Sequence, residues 1–203
     1  MTFKLKPAET ALVLIEYQNE FTTEGGKLHD AVKDCMTSNN MLENSSRVMS
    51  DLRDKGCLVV HVPIMFEKGH REIGATVGIL AGIQAGGSFE SGTFGAEFHP
   101  SMTPDPEKDM VVKGKLGLCG FFSTNLDFIL RQKGIQNVIL GGFLTNCCIE
   151  STMRTAYEHG YNVYTLKDCT AATSVEAHAS SFEHSFGMFS TITNADEVRA
   201  AVE

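Results

Sequence analysis

Short continuous apolar runs, separated by stretches with helical spacing, constrain this chain most. Residues 11–15 (ALVLI) form such a run, and residues 57–62 (CLVVHV) form a second that Pro63 ends. Runs this short, bounded by polar residues, read as strands buried on both faces of a parallel sheet. Between them Met41, Leu42, Val48, Met49 and Leu52 recur at helical spacing, and Gly56 follows as a stop. Further strands are expected at 109–112, 138–140 and 162–166, with an edge strand at 189–192. A helix is expected over 123–132, with Leu126, Ile129 and Leu130 on one face and Gly134 ending it. Another follows Cys148, carrying Ile149, Met153 and Ala156 inward, and Ser174 caps a last one that contains Phe182 and Phe186. Strands alternating with helices imply an α/β three-layer αβα sandwich around a doubly wound, mostly parallel sheet of about six strands. One domain is expected over residues 1–203.

Residues 64–108 break the alternation. Glycine recurs at 69, 74, 78, 82, 86, 87, 92 and 95, and Pro100, Pro104 and Pro106 close the stretch. A loop this long inside one domain is expected to be a lid or binding loop with short helical pieces.

Charge and cysteine usage narrow the function. The chain carries 17 Lys and Arg against 25 Asp and Glu, a net charge of −8, and no basic stripe, so nucleic acid is not expected as a partner. No apolar run approaches the ~20 residues that span a bilayer, and Met1 to Pro7 lacks the apolar core of a signal peptide. The expectation is a soluble cytoplasmic protein with no membrane partner. None of the six cysteines forms a CxxC pair, so reduced thiols are expected rather than zinc fingers or disulfides.

Three places could carry chemistry. In residues 141–152 (GGFLTNCCIEST) a strand runs through a Gly pair and a tight connection into a helix whose first turn holds Cys147 and Cys148. A helix N-terminus offers free N–H groups and a partial positive charge, which favour thiolate and could hold an oxyanion. The same cysteines could equally be small buried hydrophobes. Glu16 ends the first strand, where a carboxylate could take a thiol proton or simply pair with a lysine. Lys113 or Lys115, after the strand at 109–112, could lower a nearby thiol pKa or lie in solvent. Ligands bind beyond the carboxyl ends of the strands in such sheets, and Glu16, Lys115 and Cys148 all fall there.

Four segments together resemble a known family. Residues 16–21 (EYQNEF) are similar to its first motif, an acidic residue followed by Met-Gln-Asn-Asp-Phe or the like. Residues 115–124 resemble its second, a Lys six residues before a Phe and nine before a Thr. Residues 145–148 (TNCC), with Thr152, resemble its third, and residues 168–174 (DCTAATS) with His178 its closing segment. The family is the isochorismatase-like cysteine hydrolases, and the resemblance spans residues 10–192.

The resemblance implies a triad of Cys148 as nucleophile, Glu16 as general base and Lys115 as the cation between them. It implies an oxyanion hole from the N–H groups of Leu144 and Cys148, a cis peptide between Phe143 and Leu144, and substrate contacts at Phe21, Phe121 and Asn146. Most members carry Asp at the position of Glu16, whose extra methylene changes its reach by ~1 Å. Nicotinamidases of the family bind a metal through Asp and two His after the second strand. Here residues 61–70 (HVPIMFEKGH) lack the Asp-x-His element, so no metal and no other cofactor is expected, nicotinamide is disfavoured, and His61 and His70 are expected to be structural or solvated. The expected activity is hydrolysis of a C–N bond of a small amide, ureido or carbamoyl substrate through a thioester. The 145–152 run is closer to ureidoacrylate- and carbamoyl-type members than to isochorismatases. The alternatives are isochorismatase-type vinyl-ether hydrolysis, which needs no cysteine, and a non-catalytic oligomeric relic of the fold. Relatives are often dimers or tetramers, so a homo-oligomer is expected.

Overall fold

The structure is a computed structural model that describes residues 3–74 and 76–203. Its frame is a six-stranded sheet in the order β3-β2-β1-β4-β5-β6, with every pairing parallel. The strands are β1 (Thr10–Ile15), β2 (Leu58–Val62), β3 (Met110–Val111), β4 (Asn137–Phe143), β5 (Asn162–Ala171) and β6 (Thr191–Thr193). β1 and β4 are buried along their whole length, as strands covered on both faces must be.

Alternate residues of each strand feed two cores. Leu12, Leu14, Val59, Ile139 and Phe143 face a layer made by α2 (His29–Ser38), α3 (Met41–Asp54) and α8 (Ala195–Ala201). Val13, Ile15, Val60, Val62, Val138 and Leu140 face α5 (Leu126–Gln132) and α6 (Glu150–Glu158). Helices therefore cover both faces, which is the doubly wound α/β arrangement. Two further helices, α1 (Asn19–Thr22) and α4 (Gly78–Gly86), lie beyond the strand ends, and α7 (Val175–His184) follows β5. Among the described residues no helix is long and apolar enough to cross a membrane.

Several boundaries differ from the sequence reading. β4 continues through Gly141 and Gly142 to Phe143 instead of ending before the Gly pair. Gly142 has φ +132°, and a Cβ there would lie 1.9 Å from the carbonyl oxygen of Ile15 on the neighbouring strand, so glycine lets the central strands close up. β5 runs on to Ala171, five residues beyond its expected end. α5 begins at Leu126, not at residue 123, because Ser123 is left-handed (φ +60°) and the Thr124 hydroxyl accepts from Leu126 N at 3.1 Å. Phe186 falls in a 3₁₀ turn after α7, and α8 follows as a further helix. Ser174 caps α7 as expected, accepting from Ala177 N at 3.1 Å.

Candidate active site

The order of the sheet reverses between β1 and β4, which is where open α/β sheets bind ligands. Glu16 follows β1 directly, Cys148 comes five residues after β4, and Lys115 comes four residues after β3. In a parallel sheet these are the same edge.

Glu16 is 2% exposed and holds φ at +60°. A left-handed backbone costs a non-glycine residue roughly 1–2 kcal/mol and marks a position that the surroundings enforce. Its N–H donates to Val62 O at 3.1 Å, which fixes the turn against β2. Lys115, also 2% exposed, donates through Nζ to Glu16 Oε1 and, at 2.6 Å, to the carbonyl of Gly117. Burial alone would lower the Lys115 pKa, but the Glu16 carboxylate, through its charge and its hydrogen bond, leads the effects that offset it, and the ammonium is held above its ordinary value. Removing either partner of such a buried pair strands the other and typically costs about 3–5 kcal/mol.

Cys148 sits in a wide π-type turn, Thr145–Ile149, that leads into α6. Ile149 N donates to Leu144 O at 3.1 Å, and Asn146 takes the bridge conformation φ −85°, ψ 18°. Such turns are frequent at functional positions. The peptide between Phe143 and Leu144 is cis. Thr152, one turn along α6, donates to Cys148 O at 2.7 Å and accepts from Gly120 N at 2.8 Å. One hydroxyl thus ties the Cys148 turn to the loop that carries Lys115. Thr124 secures that loop from within, donating to Gly120 O at 2.6 Å.

The two thiols ionise as a pair. The adjacent Cys147, burial and the Glu16 carboxylate push the Cys148 thiol well above the ordinary value. Cys147, half-buried, is held below it by its Cys148 neighbour against an opposing effect of burial. Cys148 is the more deeply buried of the two, at 4% exposure. Glu16 is the carboxylate that shares its cavity.

That cavity has a volume of about 300 Å³. Glu16, Leu144 and Cys148 form its floor, Leu28, Ala31 and Val32 of the α2 region one wall, and Ile79, Gly82 and Ile83 of α4 another. Phe21, Ile64, Phe89 and Leu118 complete it, and the exposed Thr173 stands at its mouth. Of the expected substrate contacts, Phe21 lines this cavity. Phe121 and Asn146 do not. Phe121 packs into the opposite core, with its ring stacked 6.0 Å from Tyr161, because the Gly120–Thr152 bond turns the loop toward α6. Asn146 is exposed on the turn.

The residues that sequence reasoning missed are those that fasten the 64–108 segment over the cavity. Gln18 donates to Ile64 O and Ala96 O, each at 2.9 Å, and accepts from Ile64 N at 2.9 Å. Glu20, 2% exposed, accepts from Phe89 N at 3.0 Å and Lys27 N at 3.1 Å. Gly95 passes so close that a Cβ would lie 2.2 Å from the Glu20 carboxylate. The signal was present in the first motif, where Gln18 and Glu20 lie between Tyr17 and Phe21, but its long-range partners are not written locally.

His61 and His70 are both buried and hydrogen-bonded within the protein. His61 Nε2 meets Asp109 at 3.1 Å, and His70 Nε2 donates to Ser88 O at 2.6 Å. Asp109 also receives two bonds from Arg53, at 2.9 and 2.6 Å. Burial would raise this carboxyl, but His61 and Arg53 hold it well below the carboxylate range. Among the described residues no three His, Cys, Asp or Glu side chains converge as a metal ion would require.

Comparison with known proteins agrees with this architecture. A family model described as the isochorismatase domain matches residues 10–197. A ureidoacrylate amidohydrolase from Agrobacterium fabrum is 30% identical over 179 residues, covering 82% of this chain and 77% of its own. Among solved structures, a cysteine hydrolase from Pseudomonas syringae pv. phaseolicola superposes with a TM-score of 0.84 at 22% identity, over 98% of this chain and 94% of its own. An N-carbamoylsarcosine amidase from Thermoplasma acidophilum gives a TM-score of 0.72 at 25% identity, over 93% and 97%. The sheet order, the site at its switch point and a match over nearly the whole length lead to one conclusion: this chain belongs to the isochorismatase family of hydrolases.

Proposed function

We propose that this chain is a cysteine-dependent hydrolase that cleaves a C–N bond of a small amide, ureido or carbamoyl substrate through a thioester. The observation that carries the reading is the buried Glu16–Lys115 pair at the floor of a cavity shared with Cys148. The names of the ureidoacrylate amidohydrolase and N-carbamoylsarcosine amidase relatives point the same way.

Glu16 takes the Cys148 proton as the sulfur attacks the substrate carbonyl, and the carbonyl electron pair moves onto oxygen. The N–H groups of Leu144 and Cys148 hold that oxyanion. Collapse of the adduct breaks the C–N bond, and the departing nitrogen takes the proton from Glu16. Water then attacks the thioester, giving its proton to Glu16, and the sulfur leaves and is reprotonated. Lys115 keeps the carboxylate oriented throughout. Cys148 in this setting disfavours the vinyl-ether reaction, which would leave the thiol without a task.

The chain is proposed to act as a homo-oligomer. Exposed Phe122, Phe128, Tyr157 and Met188 lie on or beside the helical layer of α5 and α6 and offer apolar surface for a second copy.

The test is an ammonia-release screen over amides, ureides and carbamoyl compounds with wild type and Cys148→Ala. Turnover in the wild type that disappears in the variant is the expected result. Equal rates in both would remove the thioester route.

A further inference from the structure

The cavity is apolar to a degree that the names of the relatives do not suggest. An acrylate or a sarcosine bears a carboxylate, and a site for one needs a cation or several donors. Among the described residues lining this cavity there is no Arg, Lys or His. The polar side chains there are Glu16, Cys148 and Thr173, with Thr173 at the mouth. Lys115, the cation nearest the floor, is already spent on Glu16 and Gly117. A substrate carboxylate would lose its water in this space, gain no partner and stand near the Glu16 carboxylate. Phe21, Val32, Ile64, Ile83 and Phe89, all buried, instead present hydrocarbon to whatever enters.

We infer that the cavity takes an uncharged amide with a compact hydrocarbon acyl group, an alkyl chain of several carbons or a phenyl ring. This rests on the cysteine-hydrolase reading above and names its substrate class. The acyl part is the one to be held, because it stays on Cys148 after the nitrogen has left and must wait for water. A volume of about 300 Å³ lies at the small end of ligand-pocket sizes. That is enough for a benzoyl or heptanoyl group and too little for a long lipid chain.

The experiment compares two matched series on the purified full chain, primary carboxamides from propanamide to heptanamide with benzamide, and the same chains ending in a carboxylate. Ammonia release gives kcat/KM, and ligand-observed NMR gives binding independently of turnover. In the hydrocarbon series kcat/KM is expected to rise about 4-fold per added methylene until the cavity is full. Each carboxylate-ended member is expected to fall about 100-fold or more below its hydrocarbon counterpart. Ile79→Arg, which places a cation at the partly open mouth, is expected to raise the charged-to-uncharged ratio by up to about 5-fold. Cys148-dependent turnover confined to the carboxylate series would overturn the substrate inference and leave the hydrolase reading standing. Hydrocarbon amides that bind but release ammonia at the same background rate in wild type and Cys148→Ala would support the apolar cavity and overturn the hydrolase reading. Failure of the hydrocarbon amides to bind, or a rate indifferent to chain length, would overturn the inference.

Discussion

The rim of the sheet and the segment that covers it solve different problems with different materials. At the rim, Glu16 and Lys115 are buried charges, one directly after β1 and the other in the loop that follows β3, and Cys148 sits on a turn that Thr152 latches in place. The cover, residues 64–108, supplies Ile64, Ile79, Ile83 and Phe89 from glycine-rich backbone, and two side chains of the first motif, Gln18 and Glu20, tie it down. On the proposed reading, chemistry is tied to the sheet, where positions are fixed by strand pairing, and choice of substrate is given to a segment that can change without disturbing the strands. This division predicts that rim substitutions act on kcat and cover substitutions on KM.

The largest effect is expected at the rim. Glu16→Gln is close to isosteric but cannot accept the Cys148 proton, so kcat should fall by about 10²–10⁴-fold. Binding of a cavity ligand should persist, because the apolar walls are untouched, while the stranded Lys115 ammonium should lower the melting temperature. Glu16→Asp keeps the charge and should lose less. Unchanged turnover in Glu16→Gln would break the division at its base. On the cover, Glu20→Gln replaces one of two acceptor oxygens with a donor that faces a backbone N–H. An unsatisfied buried group costs about 1–3 kcal/mol, so KM should rise about 10-fold with kcat within 2-fold. A fall in kcat alone would mean that Glu20 serves the rim.

The rim was legible in the sequence for a physical reason. Continuous apolar runs mark buried strands, and residues 11–15 and 57–62 could hardly be anything else. Once the strands are placed, the edge on which Glu16, Lys115 and Cys148 lie follows from the parallel sheet alone. The choice of Cys148 over Cys147, and of Lys115 over Lys113, came from the family resemblance and not from spacing. The cover was illegible because its structure rests on contacts such as Gln18 with Ala96 and Glu20 with Phe89 that leave no periodic trace. α2, which supplies Val32 to the cavity, was also not read. Its buried Val32, Cys35 and Met36 are few and set among Asp30, Lys33 and Asp34. A helix start and a lysine favour thiolate at Cys148, whereas the Cys147 neighbour and burial oppose it, and neither opposing cause is visible in sequence spacing.

That neighbour gives a pH test within the rim. Cys147 is the leading reason that Cys148 ionises late. In Cys147→Ala the alkylation rate of Cys148 should therefore rise at a lower pH than in wild type, because removing a cause that raises a thiol pKa lets thiolate form sooner. Peptide-resolved alkylation between pH 6 and 10 reads this directly. A profile that is unmoved, or shifted to higher pH, would show that Cys147 does not hold the Cys148 proton.

The smallest expected effect lies at Phe121, and it tests where the cavity ends. The family resemblance made Phe121 a substrate contact, whereas its ring faces His159 at 5.3 Å and Tyr161 at 6.0 Å, on the α6 side of the sheet. It shares a loop with Lys115, so proximity in sequence argues for the site, but the Gly120–Thr152 bond turns the chain before Phe121 is reached. Phe121→Leu keeps most of the apolar volume and loses the ring contacts, which are worth about 0.5–1.5 kcal/mol per aromatic pair. The melting temperature should drop by about 2–5 °C for a chain of this size. KM and kcat should each stay within 2-fold, since no atom of the cavity wall is removed. A KM increase of about 10-fold with an unchanged melting temperature would place Phe121 against the substrate. The site would then extend from the rim across to the α6 layer, and substrate choice would belong to the Lys115 loop as well as to the cover.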